Sequence, residues 1–241
     1  MTFTLVGHRG AMGLEPENTL RSFRRAVEEG ADAVELDLRL TSDGHLVILH
    51  DADVARTTNG KGEVAQLTLA EVRALDAGEG EVIPTFDEVL DAVDVPVQAE
   101  IKSADAARAA LDTIRERSLF DRITVTSFSA DILEAALEYV PEANAGLISS
   151  GAPRDSIDRA DAMGITLLCL GLAELDAEFV ELCHGRGLDV IGWPANDSDQ
   201  LLHALRVGLD GVTSDFPGLL RESSKRIPEV GQLLADRSLT S

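Results

Sequence analysis

Between Ala33 and Asp51 the chain reads Ala-Val-Glu-Leu-Asp-Leu-Arg-Leu-Thr-Ser-Asp-Gly-His-Leu-Val-Ile-Leu-His-Asp, a strand, a tight turn and a returning strand. Val34, Leu36, Leu38 and Leu40 alternate with Glu35, Asp37 and Arg39, so two acids and an arginine share one face of the first strand. Acids on an inward face are costly to bury and need a counter-ion or a metal to stay ionised there. Asp43-Gly44 reads as a two-residue turn. Ser42 then pairs with His45, and counting back sets Asp37 opposite His50 on the same face. A hairpin in that register gathers Glu35, Asp37 and His50, and a slip of one residue would undo it.

The rest of the chain repeats a strand and helix beat. An apolar strand, Phe3 to Gly7, runs into His8-Arg9-Gly10, and a helix opens at Glu17-Asn18-Thr19 and continues to Gly30, with Leu20, Phe23 and Val27 at helical spacing. After the hairpin the pattern weakens between Asp51 and Pro84, with one short helix at Leu69 to Leu75, which reads as an insertion over one mouth of the fold. A helix at Thr85 to Ala92 restores the beat. Strands are expected at Val97 to Lys102, Ile123 to Ser127, Ala145 to Ser149, Thr166 to Leu170, Val190 to Trp193 and Gly211 to Ser214. Helices are expected at Ala104 to Arg117, Ala130 to Tyr139, Asp155 to Met163, Asp176 to Arg186, Ser198 to Val207 and near Pro217 to Glu222. Eight such units in 241 residues match the ~250 typical of a (β/α)8 TIM barrel, with a doubly wound open sheet as the alternative. No low-complexity linker divides the chain, so one domain over residues 1–241 is expected, its insertion at about 51–84.

Charge narrows the class of partner. With 43 acids against 21 bases the net charge is −22, which argues against nucleic acid or an anionic membrane as a general partner. A bound phosphate would have to rely on local positive groups, and only three are lysines, Lys61, Lys102 and Lys225. Cys169 and Cys183 are too few for a disulfide framework and lack metal-site spacing. No basic leader precedes the first strand and no apolar run is long enough to span a bilayer, so stable membrane insertion is not expected and the cytoplasm is the default location.

The polar residues favour one rim. His8 and Arg9 follow strand one, Glu35 and Asp37 lie on strand two, Glu100 and Lys102 on the next, and Ser127, Trp193 and Ser214-Asp215 close later ones. In a TIM barrel the C-terminal rim is where catalytic groups gather. With the motifs His8-Arg9-Gly10, Glu17-Asn18-Thr19, Glu35-Leu36-Asp37, His50-Asp51, Arg56-Thr57-Thr58-Asn59-Gly60, Glu100-Ile101-Lys102, Ser127-Phe128 and Asp210 to Pro217 in this order, the chain from His8 to Pro217 resembles the glycerophosphodiester phosphodiesterase family.

The resemblance implies a metal-dependent hydrolase that cuts small-molecule glycerophosphodiesters to an alcohol and sn-glycerol 3-phosphate. It makes Glu35, Asp37 and Glu100 the metal ligands, His8 and His50 the acid and base pair, and Arg9 and Lys102 the groups that hold phosphate. Three carboxylates without cysteine suit a hard divalent cation, Mg²⁺ or Ca²⁺. His50 is favoured as the acid and His8 as the base, the direction of attack being left open. Phe128 and Trp193 are candidates for the alcohol pocket, or fillers of the barrel top. Where the family usually has Trp-Thr-Val-Asn, this chain has Trp193-Pro194-Ala195-Asn196, which leaves the alcohol preference open.

Plainer alternatives stand beside these. The acids could form a buried ion-pair network with Arg9, Arg39 and Lys102. Asp51 could support the site or cap the following loop, Asn18 and Thr19 could simply cap a helix, and Asp215 reads as structural. His45, His184 and His203 are placed on the surface. A lysophospholipase D-like enzyme and a non-catalytic phosphate-binding barrel are the competing functions.

Overall fold

The computed structural model describes residues 3–151 and 154–238. Its sheet contains β1 (Thr4–Gly7), β2 (Ala33–Leu40), β3 (Leu46–Ile48), β4 (Val97–Ile101), β5 (Ile123–Ser127), β6 (Asn144–Ser149), β7 (Leu167–Gly171), β8 (Asp189–Trp193) and β9 (Gly211–Ser214). All but β3 run parallel, in the order β1, β2, β4, β5, β6, β7, β8, β9, and β9 pairs back onto β1. The sheet is a closed eight-stranded barrel with helices on the returns, the (β/α)8 architecture expected.

Each return uses local chemistry to start its helix. Thr19, Ser103, Ser129, Asp176 and Asp197 accept hydrogen bonds from backbone N–H groups of the first turn. Thr68 with Glu71 and Thr85 with Glu88 form reciprocal capping boxes. A helix at Pro228–Ser238 lies beyond the expected ones, with Val230 fully buried in the main core. No helix of the described residues is long and apolar enough to cross a membrane.

Alternation along β2 separates two environments. Val34, Leu36 and Leu38 face the helices and are fully buried. Glu35 and Asp37 point the other way, toward the barrel interior, where Val6, Ala33, Ile148, Cys169 and Ile191 form a separate apolar cluster. The segment from Asp51 to Pro84 builds a small core of its own from Val54, Val64, Val72, Ala77 and Ile83 on Val47 and Leu49. Its Arg56 reaches Glu17 and Asp51 beside the C-terminal rim.

The hairpin differs from expectation. Leu38 pairs with Ile48 and Leu40 with Leu46, one residue out of the expected register, so Asp37 lies opposite Leu49, whose N–H bonds the Asp37 carbonyl at 3.0 Å. The loop holds three residues, Ser42, Asp43 and Gly44, closed by Thr41 N–H on the His45 carbonyl at 2.9 Å. Gly44 takes φ 83°, the left-handed conformation a three-residue hairpin loop requires. His50 arrives by another route: beyond the ladder the chain turns, and the Arg39 guanidinium holds the His50 carbonyl at 2.5 and 2.9 Å.

Leu36 sits between the two acids of β2 and is fully buried among helix side chains. Leu36→Ala is expected to destabilise the fold by ~2–5 kcal/mol through lost burial and a cavity, whereas Leu219→Ala, at a side chain 49% exposed, should stay within ~0.5 kcal/mol. Urea denaturation of both variants checks this; equal midpoints would mean that the helix layer repacks freely around β2.

Candidate active site

The parallel register of β2 and β4 brings the acids together. Asp37 lies beside Glu100, and Glu35 beside Gln98. One carboxylate oxygen from each of Glu35, Asp37 and Glu100 lies within 4.8 Å of the others, and all three residues are buried. Lys102 Nζ lies 2.8 Å from Asp37 Oδ1 and 2.5 Å from Glu100 Oε1. Arg9 Nε lies 3.3 Å from Asp37 Oδ2, which also accepts from Asn18 Nδ2 at 2.8 Å. Glu35 accepts the backbone N–H of Arg9 at 3.0 Å.

This distribution fixes which acids stay charged. Burial opposes ionisation of Asp37, but Lys102, Arg9 and His50 outweigh it and hold the carboxyl below its usual range. Burial, together with the Asp37 charge, pushes Glu35 up to about 7. Glu100 is raised mainly by burial, despite Lys102. Two cationic side chains face three carboxylates, so the cluster lacks positive charge and offers only oxygen donors. These residues fit a hard divalent cation, which would restore Glu35 to its ionised form.

A tight turn places the first motif. Arg9 has φ 47° and Gly10 φ 84°. A Cβ on Gly10 would stand 2.5 Å from the Ser22 carbonyl carbon and 2.7 Å from the Phe23 nitrogen, so only glycine fits. The turn aims the Arg9 N–H at Glu35, while the Arg9 guanidinium donates to Glu17 at 2.8 Å.

Both histidines are braced through the same ring atom. His8 Nδ1 lies 2.6 Å from Asp215 Oδ1, and His50 Nδ1 lies 2.7 Å from Asp51 Oδ1. The remaining ring nitrogen of each, Nε2, is the one left for chemistry. Asp215 is itself held by Asn196 Nδ2 at 2.7 Å. Asp51 accepts from Arg56 Nε at 2.5 Å, and the Arg56 fork grips both oxygens of Glu17 at 2.8 Å. Asp215, expected to serve only its loop, is the partner of His8. The clue was in the topology: Gly7 registers with Ser214 where the last strand meets the first, so the next residues, His8 and Asp215, are neighbours.

The surroundings push the two rings in opposite directions. Burial would lower His8, but its hydrogen bond to Asp215 and the Glu35 charge outweigh this and raise it above the ordinary imidazole value. At His50 burial, with the charges of Lys102 and Arg9, prevails over the pull of Asp37 and Asp51 and lowers it.

A cavity opens over the cluster below an aromatic mouth, lined by His8, Arg9, Glu35, His50 and Glu100 together with Gln98, Thr126, Ile148, Cys169 and Thr213. At the mouth Phe128, half exposed, meets Trp193 edge to face at 5.9 Å between centroids. Trp193 Nε1 donates to the Cys169 carbonyl at 3.1 Å. Asp37 is fully buried, and the Lys102 ammonium sits on it and on Glu100. Burial pushes the Cys169 thiol up to about 12, which keeps it protonated and excludes it as a nucleophile. His184 and His203 are engaged elsewhere, on Asp210 and on the Leu175 carbonyl.

Residues 8–219 match the model of the glycerophosphoryl diester phosphodiesterase family. A glycerophosphodiester phosphodiesterase of Caldanaerobacter subterraneus is 34% identical over 235 residues, covering 91% of this chain and 97% of the relative. One from Bacillus altitudinis is 30% identical, covering 88% and 94%. Among solved structures, an Oleispira antarctica phosphodiesterase in complex with the product sn-glycerol-3-phosphate superposes with a TM-score of 0.88 at 28% identity, covering 93% of this chain and 97% of that one. The carboxylate cluster, the cavity and these matches agree: the chain belongs to the glycerophosphoryl diester phosphodiesterase family and is an enzyme of phosphodiester hydrolysis.

Proposed function

We propose that the chain hydrolyses small glycerophosphodiesters to an alcohol and sn-glycerol 3-phosphate, with Glu35, Asp37 and Glu100 holding Mg²⁺ or Ca²⁺ and with His8 and His50 moving the protons. The observation that carries this reading is the meeting, at one cavity, of a charge-deficient carboxylate cluster and two histidines each braced at Nδ1 by an aspartate. The product held by the Oleispira enzyme supports the glycerol phosphate arm.

A bound divalent cation would supply Lewis acidity and neutralise phosphate charge. Arg9 lines the cavity and adds fixed positive charge beside it. Lys102 keeps Asp37 ionised and contributes to the same field. A phosphodiester anion repels nucleophiles, so this preorganised charge lowers the barrier most where negative charge grows. The ring environments favour His8 as general acid and His50 as general base, the reverse of the direction favoured from sequence. His50, lowered, is the ring more readily left neutral to take a proton from the attacking hydroxyl; His8, raised, keeps its proton to higher pH and can give one to the departing alkoxide. Each transfer is typically worth about 10² to 10⁴ in rate.

Removing one acid should weaken the cation far more than the fold. Glu100→Gln is expected to raise the dissociation constant for Mg²⁺ or Ca²⁺ by roughly tenfold or more, and wild-type affinity should fall as pH drops through the Glu35 value near 7. Calorimetry checks both, and unchanged binding in the variant would remove Glu100 from the site.

The pH profile of kcat/KM should be a bell. Its acid limb, where His50 gains a proton, falls below the ordinary imidazole value of about 6.5, and its alkaline limb, where His8 loses one, falls above it. His8→Ala should recover most of its lost rate on a p-nitrophenyl ester, whose leaving group needs no proton, and His50→Ala should not. Rescue of the His50 variant instead would reverse the two roles.

A further inference from the structure

The ends of β1, β8 and β9 meet around His8, and the loop after β8 brings a group there that the proton chemistry leaves unassigned. The Asn196 carboxamide spends both of its ends on Asp215. Its Nδ2 donates to Asp215 Oδ2 at 2.7 Å, and its Oδ1 accepts the Asp215 backbone N–H at 2.8 Å. A backbone N–H can only donate, so the amide cannot be turned round, and its nitrogen must face the carboxylate. Oδ1 also accepts from the hydroxyl of Ser214, which is fully buried, at 3.3 Å. The Asn196 N–H in turn donates to Gln200 Oε1 at 2.6 Å.

The ordinary duties of this loop fall to other residues. Asp197 caps the helix Ser198–Val207 by accepting the Gln200 N–H, and the Ala195 N–H ties the loop to β9 through the Thr213 carbonyl at 2.9 Å. Among the described residues Trp193 lines the cavity and Asn196 does not. What the double contact controls is the carboxylate: with Oδ2 and the backbone of Asp215 both held, Oδ1 is presented to His8 Nδ1 at 2.6 Å. Burial opposes ionisation of Asp215, but His8 and Asn196 outweigh it and hold the carboxyl below its usual range. The last torsion of an aspartate side chain is soft, so a carboxylate released by Asn196 would swing and take the direction of the ring with it.

We propose that Asn196 is a positioning residue for proton transfer, acting through Asp215 to fix the direction in which His8 presents Nε2, without touching the substrate itself. This rests on the reading of His8 as general acid and adds the residue that aims it. Small displacements of a reacting group are costly in rate, so the amide matters although it lies outside the cavity. Its effect should be confined to leaving groups that need a proton, and should vanish once His8 is gone.

The test compares wild type, Asn196→Ala, His8→Ala and the double variant, all with the divalent cation supplied, on glycerophosphocholine and on bis(p-nitrophenyl) phosphate. Asn196→Ala should lower kcat on glycerophosphocholine by roughly tenfold to a hundredfold, part of what a general acid supplies, with KM changed by no more than about twofold. The aryl diester, whose leaving group needs no proton, should be turned over at nearly the wild-type rate. In the His8→Ala background the second change should cost nothing further. The His8 Nδ1 proton, which lies far downfield in proton NMR while it is bonded to a carboxylate, should move upfield in Asn196→Ala. If the Ala variant fails to fold, Asn196→Asp keeps the acceptor for the Asp215 N–H and removes only the donation to Oδ2; above neutral pH, with the new carboxyl ionised, it should show the same dependence on leaving group. Losses that are equal on the two diesters in Asn196→Ala but not in His8→Ala would overturn the positioning role and leave Asn196 a loop tie. Full additivity in the double variant, or a loss confined to KM, would overturn it as well. A His8→Ala loss that ignores the leaving group would instead overturn the general-acid reading, while additivity in the double variant still judges whether Asn196 acts through His8.

Discussion

Three carboxylates held within 4.8 Å of one another inside a barrel set the terms for everything around them. Two unit charges about 4 Å apart repel by about 4 kcal/mol even at an effective dielectric of 20, a large part of the 5–15 kcal/mol, roughly, that keeps a domain folded. The structure meets this load unevenly. Asp37, the most enclosed, takes Lys102, Arg9 and the Asn18 amide. Glu35 receives only a backbone N–H, and its carboxyl stays protonated up to about 7. A site that is one positive charge short in this way is stabilised by an arriving cation, whereas a matched ion-pair network would have nothing to gain from one.

The proton-handling groups depend on how the barrel closes. His8 leaves β1 and Asp215 leaves β9, so their hydrogen bond exists only if the first and last strands pair. His50 and Asp51 are adjacent in the chain, but Asp51 is positioned by Arg56 from the insertion, which also grips Glu17 and through it touches Arg9. The insertion therefore supports two separate rim groups with one side chain. The unequal surroundings of the rings follow from the same arrangement. His8 lies beside Glu35, the acid without a cationic side-chain contact, and His50 feels Lys102 and Arg9.

Much of the fold could be read from the sequence because it rests on local signals. Ile123–Ser127, Ala130–Tyr139, Ser198–Val207 and Gly211–Ser214 have the bounds that alternation and helical spacing gave. The hairpin register could not be read, since Asp43-Gly44 suits a two-residue and a three-residue loop and only Thr41, bonding Asp43 and His45, separates them. The gathering of Glu35, Asp37 and Glu100 was foreseeable from inward-facing positions on neighbouring strands. The brace on His8 was not, because the partners lie 207 positions apart and meet only through ring closure. Gln98 and Thr126 were overlooked for a related reason: a lone Gln or Thr in a strand carries no signal until the fold turns it toward a cavity.

The charge balance of the whole chain bears on how an anionic substrate reaches such a site. A net charge of −22 would oppose a phosphodiester if the field were set by the sum of charges. Some exposed acids are locally matched, as in the pairs of Arg117 with Asp87 and Asp91 and of Arg206 with Glu229, and the −22 is the excess of acids left after such pairs cancel. At physiological ionic strength exposed charges are screened beyond about 8 Å. Inside the cavity the comparison is local, between Arg9, Lys102 and a divalent cation on one side and three carboxylates on the other. With the cation bound that balance turns positive where the phosphate would lie, and low surrounding polarity strengthens it. The acidic exterior then costs little for a small, mobile anion. It weighs heavily against an extended anionic surface, which would have to bring many charges against the exposed acids at once.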